Sequence, residues 1–481
     1  MRAPPLPTTA DYVETFAART PQRPALNENG AGITYAQLAN ALLQCGLHLQ
    51  RLGVRPGERI AVAGPGFGVQ LVLLLAAEAL GAVTVSFEAE GDPDLDFLFA
   101  HVDRVFSALP QAVPPPVRFH RIDQAFADQL AAPLQGEGPE WSPLPLDAPQ
   151  RLSRTSGSSG ASKFMRLSRL AQEWWIRTAL DSVTWQTDTA TRLLLLSPLV
   201  VNAGFARASA CLRRGGLVMA GSGRDIESMQ PTHVLGLPLQ LQRLLDELPA
   251  GYRAPHATSV ATFGGALPPQ MRQRAQAVFG GVIHNRYGSN ETAVVCGELD
   301  DSGAGVIAAG VQVRILDDAG RVLPPGQAGV VAIRTPGLVE GYIDRPEETA
   351  AAFRDGWFVS GDAGVLLGRR VLRLLGRQDD LVNLGGIKVP ALEIEQQVRN
   401  HAAFDDVAAV AVHLVGGSAT LGLAVVLATG VSAEEGRRVL GDVLTLPLQA
   451  DVHLLFLSAI PRLANGKTDR MELLRLFRQH A

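Results

Sequence analysis

Five segments of this chain combine residue types whose spacing suits phosphate and carboxylate chemistry. The first is Thr155-Ser156-Gly157-Ser158-Ser159-Gly160-Ala161-Ser162-Lys163. Hydroxyls donate hydrogen bonds, glycines let backbone N–H groups approach an anion, and the closing lysine adds a point charge. The same composition also makes a flexible Ser/Gly linker. It is not a Walker loop, because Ser162 rather than glycine precedes Lys163. Gly64-Pro65-Gly66-Phe67-Gly68 misses the dinucleotide fingerprint, its third glycine falling one position early, and reads as a turn.

The second segment, Asn285-Arg286-Tyr287-Gly288-Ser289-Asn290-Glu291-Thr292, follows a short apolar run. An aromatic ring that can stack on a base and a carboxylate that can hold Mg²⁺ make sense at the carboxyl edge of a strand. A polar loop is the plain alternative. In the third, Trp357-Phe358-Val359-Ser360-Gly361-Asp362, the aspartate could accept hydrogen bonds from a ribose diol or merely sit in a turn. The fourth runs Gly376-Arg377-Gln378-Asp379-Asp380, then Leu384-Gly385-Gly386-Ile387-Lys388-Val389, to Glu393-Ile394-Glu395, and could be only a domain junction. The fifth, Pro461 to Arg470, carries Lys467 on a glycine-containing loop, within reach of a phosphate or simply in solvent.

The elements that must position these groups alternate. Thr34 and Gln37 form a capping-box pattern ahead of Leu38, Leu42, Cys45, Leu49 and Leu52, an amphipathic helix. After the turn at Arg55-Pro56-Gly57-Glu58, Ile60–Ala63 reads as a strand, 69–80 as an apolar helix and Val83–Val85 as the next strand. Such units build parallel sheets. Residues 110–149 read as surface connection with one helix near 122–130. Further strands are expected at 193–196, 217–220, 234–237, 260–263, 282–284, 311–316 and 330–335, with a helix from Pro269 to Phe279. Residues 376–380 read as a polar turn, after which the pattern restarts. The predicted class is α/β: a large N-terminal domain, 1–376, with parallel sheets and a small β-barrel-like part, then a small mobile α+β domain, 377–481.

Composition narrows the function. Of 481 residues, 47% are hydrophobic and 19% charged, with a net charge of -4, which suits a soluble protein with a large core. There is no dense Lys/Arg block, so no nucleic-acid footprint. Cys45, Cys211 and Cys296 lie far apart without metal-ligand spacing, and a cytoplasmic setting is expected. The longest apolar run, 71–85, is interrupted by Glu78 and Gly81 and is too short to span a bilayer. No secretory signal is visible in residues 1–10.

Taken in order, the five segments resemble the motifs of the adenylate-forming superfamily: acyl-CoA synthetases, adenylation domains of nonribosomal peptide synthetases, and luciferases. The wording is closest to acyl-CoA ligases. The resemblance spans essentially the whole chain, from Ala31–Leu38 to the final Gly466-Lys467 pair. It implies ATP and Mg²⁺ as cofactors, with the phosphates gripped by Thr155, Ser156, Gly157, Ser158, Ser159, Gly160 and Lys163. The resemblance further assigns Gly264, Gly265 and Ala266 to the pocket wall, and Asn285, Arg286, Tyr287, Gly288 and Ser289 to the nucleotide. Asn290 and Glu291 would serve catalysis, Glu291 as metal ligand. Asp362 and Arg377 would hold the ribose, and Asp379 would be the hinge. Lys467 would bridge the acyl carboxylate and the α-phosphate.

Two departures stand out. Asn290 replaces the family's usual threonine, and Val201 stands where an aromatic or histidine usually gates the acid. Val200, Val201, Asn202 and Phe205 are the acyl-pocket candidates, with core packing as their alternative. Amino-acid-activating relatives place an aspartate in this pocket. Ser197–Cys211 holds none, although Asp225 lies just downstream. A small carboxylic acid other than an α-amino acid is therefore expected, since a buried ammonium needs a carboxylate. The acceptor is CoA, or alternatively the phosphopantetheine arm of an acyl or peptidyl carrier protein. A third reading is an inactive scaffold that keeps the fold.

Overall fold

The computed structural model describes residues 6–155, 162–180, 187–265, 267–300, 302–317, 319–378, 381–384, 387–413, 419–444, 452–462 and 468–480. Its internal contacts divide the chain into two units. One holds 1–299, 308–312 and 334–358, and the other 300–307, 313–333 and 359–481.

The first unit contains two parallel-rich sheets. In one, the order is Arg118–Arg121, Arg104–Ser107, Arg59–Ala63, Val83–Ser86, Pro149–Arg154, Phe164–Ser168, parallel except for the last pair. In the other, Leu217–Ala220, Arg192–Leu195, His233–Gly236, Thr258–Phe263 and Gly280–Ser289 are mutually parallel neighbours. Pro24–Glu28 extends that sheet on one side and Ala293–Leu299 on the other. The helices Tyr35–Arg51 and Phe67–Ala79 share one hydrophobic core with residues of both sheets. The second helix is buried continuously from Leu71 to Ala79, which is why its sequence is apolar all round. Among the described residues no helix is long and apolar enough to cross a membrane.

Local signals act as expected. Thr34 and Gln37 close a reciprocal capping box. Tyr35, fully buried, shares its hydroxyl hydrogen between the carbonyl of Leu212, in the last turn of the helix Asn202–Arg213, and that of Gly216 just beyond it. Residues 110–149 hold the strand Arg118–Arg121 besides the helix Gln124–Ala131, and end at the start of the strand Pro149–Arg154.

Three polar segments read as loops or turns are strand instead. Gly280–Ser289 continues through Asn285-Arg286-Tyr287, because Thr258–Phe263 pairs along one side and Ala293–Leu299 along the other. Trp357–Leu366 and Val371–Arg377 pair antiparallel, with Asp362 opposite Arg377, so the expected turn at 376–380 begins as a strand. Backbone pairing from both neighbours overrides the turn preference of Gly and Asp.

In the second unit, the three-stranded sheet Phe404–His413, Ala419–Leu427, Val452–Phe456 is covered on both faces. Val407 and Ala409 join a core with the helices Ala391–Arg399 and Ala433–Val443. Ala408, Val410 and Val412 join another with Arg470–His480. The two-residue period of the strand sorts them. The whole is α/β, with a sheet-rich larger part and a smaller C-terminal part.

Candidate functional site

In the first unit, the hydroxyl-rich loop leaves the strand Pro149–Arg154 and returns at Phe164. Its neck is closed by Thr155 N–H to the Lys163 carbonyl at 3.0 Å and by Lys163 N–H to Thr155 Oγ1 at 3.4 Å. Ser156, Gly157, Ser158, Ser159 and Gly160 lie outside the described residues. Arg154, at the strand's end, is gripped by Asp92 through both oxygens (2.6 and 2.7 Å) and by Asp94 at 2.8 Å. Burial pushes the Asp92 carboxyl up, but hydrogen bonds from Arg154 and from the Glu88 and Asp94 N–H groups outweigh it and hold it low.

The turn at Ser289–Thr292 comes to this strand. Asn290 Nδ2 donates to the Arg154 carbonyl at 2.7 Å. Ser289 Oγ and Thr292 Oγ1 are 3.0 Å apart. Glu291 is 5% exposed, and Tyr342 Oη donates to its Oε1 at 2.8 Å. The Tyr342 ring in turn carries Lys163 Nζ 5.0 Å above its centroid. Gly288 is required here, because a Cβ would meet the Ala293 carbonyl at 2.3 Å. Asn285 is buried, and Thr262 Oγ1 donates to its Oδ1 at 3.5 Å. Arg286 is buried, while Tyr287 is half-buried. Gly264 and Gly265 are exposed, Gly264 at φ +77°, and Ala266 lies outside the described residues.

Among the described residues no group of three His, Cys, Asp or Glu side chains could enclose a metal. Glu291 alone fits Mg²⁺ that takes its other ligands from substrate phosphates and water, the usual arrangement for that ion. The neighbouring Lys163 suits the same phosphates.

The pocket candidates separate. Val200 and Val201 are half-buried. Asn202, in the first turn of the helix Asn202–Arg213, is 1% exposed, and neither end of its carboxamide has a hydrogen-bond partner among the described residues. Phe205 is fully buried, with the Arg151 guanidinium 4.0 Å over its ring. Arg151 also donates to the Leu199 carbonyl at 3.0 Å and lies 3.6 Å from buried Glu78. Burial lowers Arg151 to about 10, although the Glu78 charge opposes the shift.

In the second unit, Arg377 Nη1 donates to Asp362 Oδ1 and to the Ser360 carbonyl, each at 3.2 Å. Ser360 Oγ anchors the Asp362 N–H and the Val331 carbonyl. Gly361 lies at φ +71°, and a Cβ there would be 3.1 Å from Arg377 Nη2. Asp379 and Lys467 lie outside the described residues.

Sequence reading missed Tyr342, Arg151 and Arg154. Tyr342 stands in Glu340-Gly341-Tyr342-Ile343-Asp344, where no spacing marks it. Its contact with Glu291 depends on backbone bonds between distant segments: the Val339 N–H bonds the Glu291 carbonyl at 3.1 Å, and the Ile343 N–H bonds the Phe164 carbonyl at 2.7 Å.

The family model described as AMP-binding enzyme matches residues 13–343, and the chain belongs to that family of adenylate-forming, acyl-CoA synthetase-like enzymes. Its class is that of the AMP-forming acid–thiol ligases. A feruloyl-CoA synthase from Amycolatopsis sp is 29% identical over 422 residues, covering 82% of this chain and 84% of that protein. Phenyloxazoline synthase MbtB of Mycobacterium tuberculosis is 29% identical over 492 residues, 95% of this chain but 34% of its own length. Among solved structures, ATP-bound MatB from Rhodopseudomonas palustris shares the fold at TM-score 0.81 and 22% identity, over 98% of this chain and 99% of that one.

Proposed function

We propose that this chain joins a carboxylic acid to AMP and then passes the acyl group to the thiol of CoA. A carboxylate oxygen attacks the α-phosphorus of ATP, the bond to the departing pyrophosphate breaks, and an acyl-AMP remains. The thiol, giving up its proton to solvent, then attacks the acyl carbon and AMP leaves. Two anions must meet in the first step, so charge neutralisation and alignment carry the catalysis. Bound Mg²⁺ supplies positive charge at the phosphates.

The observation that carries this reading is the joining of Asn290–Glu291 to the strand that enters the hydroxyl-rich loop, with Lys163 and Glu291 meeting the same tyrosine. In the proposed roles Lys163 and the loop hold the β- and γ-phosphates and Glu291 holds Mg²⁺. Asn285 meets adenine through the amide hydrogens that its Thr262 contact leaves available, and Tyr287 stacks on the base. Asp362 and Arg377 bind the ribose hydroxyls. Lys467 bridges the acid and the α-phosphate in the first step. The second follows rotation of 377–481 about Asp379. We assign the reaction to the cytoplasm.

An acid without an α-ammonium fits the pocket candidates. Asp225, the nearest downstream carboxylate, accepts from Ser222 Oγ at 2.7 Å in its own capping box. Arg207 is buried, and burial, reinforced by the Arg286 charge, lowers its pKa. The MbtB match over 95% of the chain favours a second reading, loading of a carrier protein's phosphopantetheine. ATP–pyrophosphate exchange over a panel of aromatic and alkyl acids, repeated with CoA and with a carrier protein, tests both. Exchange with no acid would support the inactive scaffold, and turnover with CoA alone would remove the carrier.

A further inference from the structure

Glu291 and Lys163 are of opposite charge and both meet Tyr342, yet among the described residues no ion pair joins them. A direct Lys163–Glu291 pair would satisfy each with the other. It would also withdraw the carboxylate from the metal and the ammonium from the phosphates, because each would have to be separated again before ATP could bind.

The tyrosine offers each charge a separate seat. Its hydroxyl donates to Glu291 Oε1 at 2.8 Å, leaving Oε2 and the remaining lone pairs for a metal. Its ring face holds Lys163 Nζ at 5.0 Å, within the range of a cation–π contact. The ring itself is fixed. Phe353 packs edge-on at 5.4 Å, and the backbone N–H of Tyr342 is held by Thr349 Oγ1 at 2.9 Å. Gly341, at φ +155°, brings the chain so close to Thr349 that a Cβ would lie 2.3 Å from its Cγ2. The segment is therefore built to place this one side chain.

We propose that Tyr342 is a positioning residue for adenylation, a spacer that keeps the metal-binding carboxylate and the phosphate-binding ammonium apart before substrate arrives. This rests on the adenylation reading. It assigns the hydroxyl to Glu291 and hence to metal affinity. It assigns the ring to Lys163 and hence to ATP affinity with or without metal.

Calorimetric titration of ATP with and without Mg²⁺ tests it, with Mn²⁺ as a paramagnetic probe of the metal site. Tyr342→Phe keeps the ring and loses only the donor. It should bind metal-free ATP like the wild type and lose about tenfold in Mn²⁺ affinity of the ATP complex, the size expected for one hydrogen bond to a charged group. Tyr342→Leu should also weaken metal-free ATP several-fold, since Lys163 can then pair with Glu291. Adding Glu291→Gln to Tyr342→Leu should restore metal-free ATP binding, a recovery that lost packing alone would not show. Thermal unfolding checks that the variants fold, and the Phe variant carries the test if the Leu variant does not. Wild-type metal affinity in Tyr342→Phe, or no recovery in the folded double variant, overturns the spacer while adenylation stands. A wild-type protein that binds no ATP under either condition removes both.

Discussion

Asn290 Nδ2 donates to the main-chain oxygen of Arg154 across 2.7 Å, tying the turn that carries Glu291 to the strand that enters the hydroxyl-rich loop. Arg154 cannot drift, because Asp92 and Asp94 hold its guanidinium. A side chain standing where the family usually has threonine thus links two groups that, in the proposed function, meet one nucleotide. Geometry set by such a link affects rate more than stability.

Replacing Asn290 by alanine should lower kcat/KM for ATP in pyrophosphate exchange by about tenfold, the cost of one well-made hydrogen bond at a positioned group. Asn290→Asp should be worse than alanine, since a carboxylate would face the Arg154 carbonyl oxygen. Equal rates for wild type and Asn290→Asp would show that the tie has no part in catalysis.

Lys467→Ala should abolish acyl-AMP formation, by at least about a hundredfold for a lost charge at the reacting phosphoryl group, while sparing thiolysis of supplied acyl-AMP. Normal exchange by this variant would remove the role assigned to Lys467.

A third prediction concerns the glycine group at 64–68. The Glu28 carboxylate accepts from the N–H groups of Phe67 and Gly68, at 2.7 and 2.9 Å, and so caps the helix Phe67–Ala79. Glu28→Ala should lower unfolding free energy by about 1–3 kcal/mol without changing turnover per folded molecule. Gly66→Ala puts a Cβ 2.6 Å from Glu28 Oε1 and should also destabilise. Combined, the two should cost less than their sum, because removing the carboxylate removes the clash. Strict additivity in denaturant titrations would contradict this.

The fourth concerns pH. Burial, and then the Arg104 and Arg118 charges, lower His120 from 6.5 to about 4. Its ring stacks on Phe106 at 4.6 Å, and Arg104 Nη1 lies 3.3 Å from Nε2, a contact that needs the neutral imidazole as acceptor. Between pH 6.5 and about 4 the unfolded chain therefore binds a proton that the folded chain refuses, so stability falls as pH falls through that window. His120→Phe should flatten this part of the stability–pH profile. An unchanged slope would show that His120 is protonated in the folded state.

Much of the fold was legible because it rests on neighbours in sequence. The Thr34–Gln37 box, the helix Pro269–Phe279 and the strand–helix–strand unit at 59–86 follow from caps, proline and apolar period. The adenylate-forming motifs were legible as a family resemblance, because five short segments stand in the family's order. The polar strand 285–289 was not, since its identity depends on the strands paired on both its sides.

Glu78 shows the same division within one residue. The sequence by itself determined that a carboxylate interrupts an apolar helix. Only the packing decided that Thr84, Gln150 and Arg151 receive it, and that Arg151 goes on to cover Phe205, a residue sequence alone left between pocket and core. Likewise the order of the motifs pointed to the groups proposed to handle ATP, whereas the meeting of Asn290 with Arg154 and of Tyr342 with Glu291 was decided in three dimensions. The reason is physical. Caps, turns and motifs act over a few residues of backbone, while a buried charge takes whichever partner the folded segments bring within about 3–4 Å.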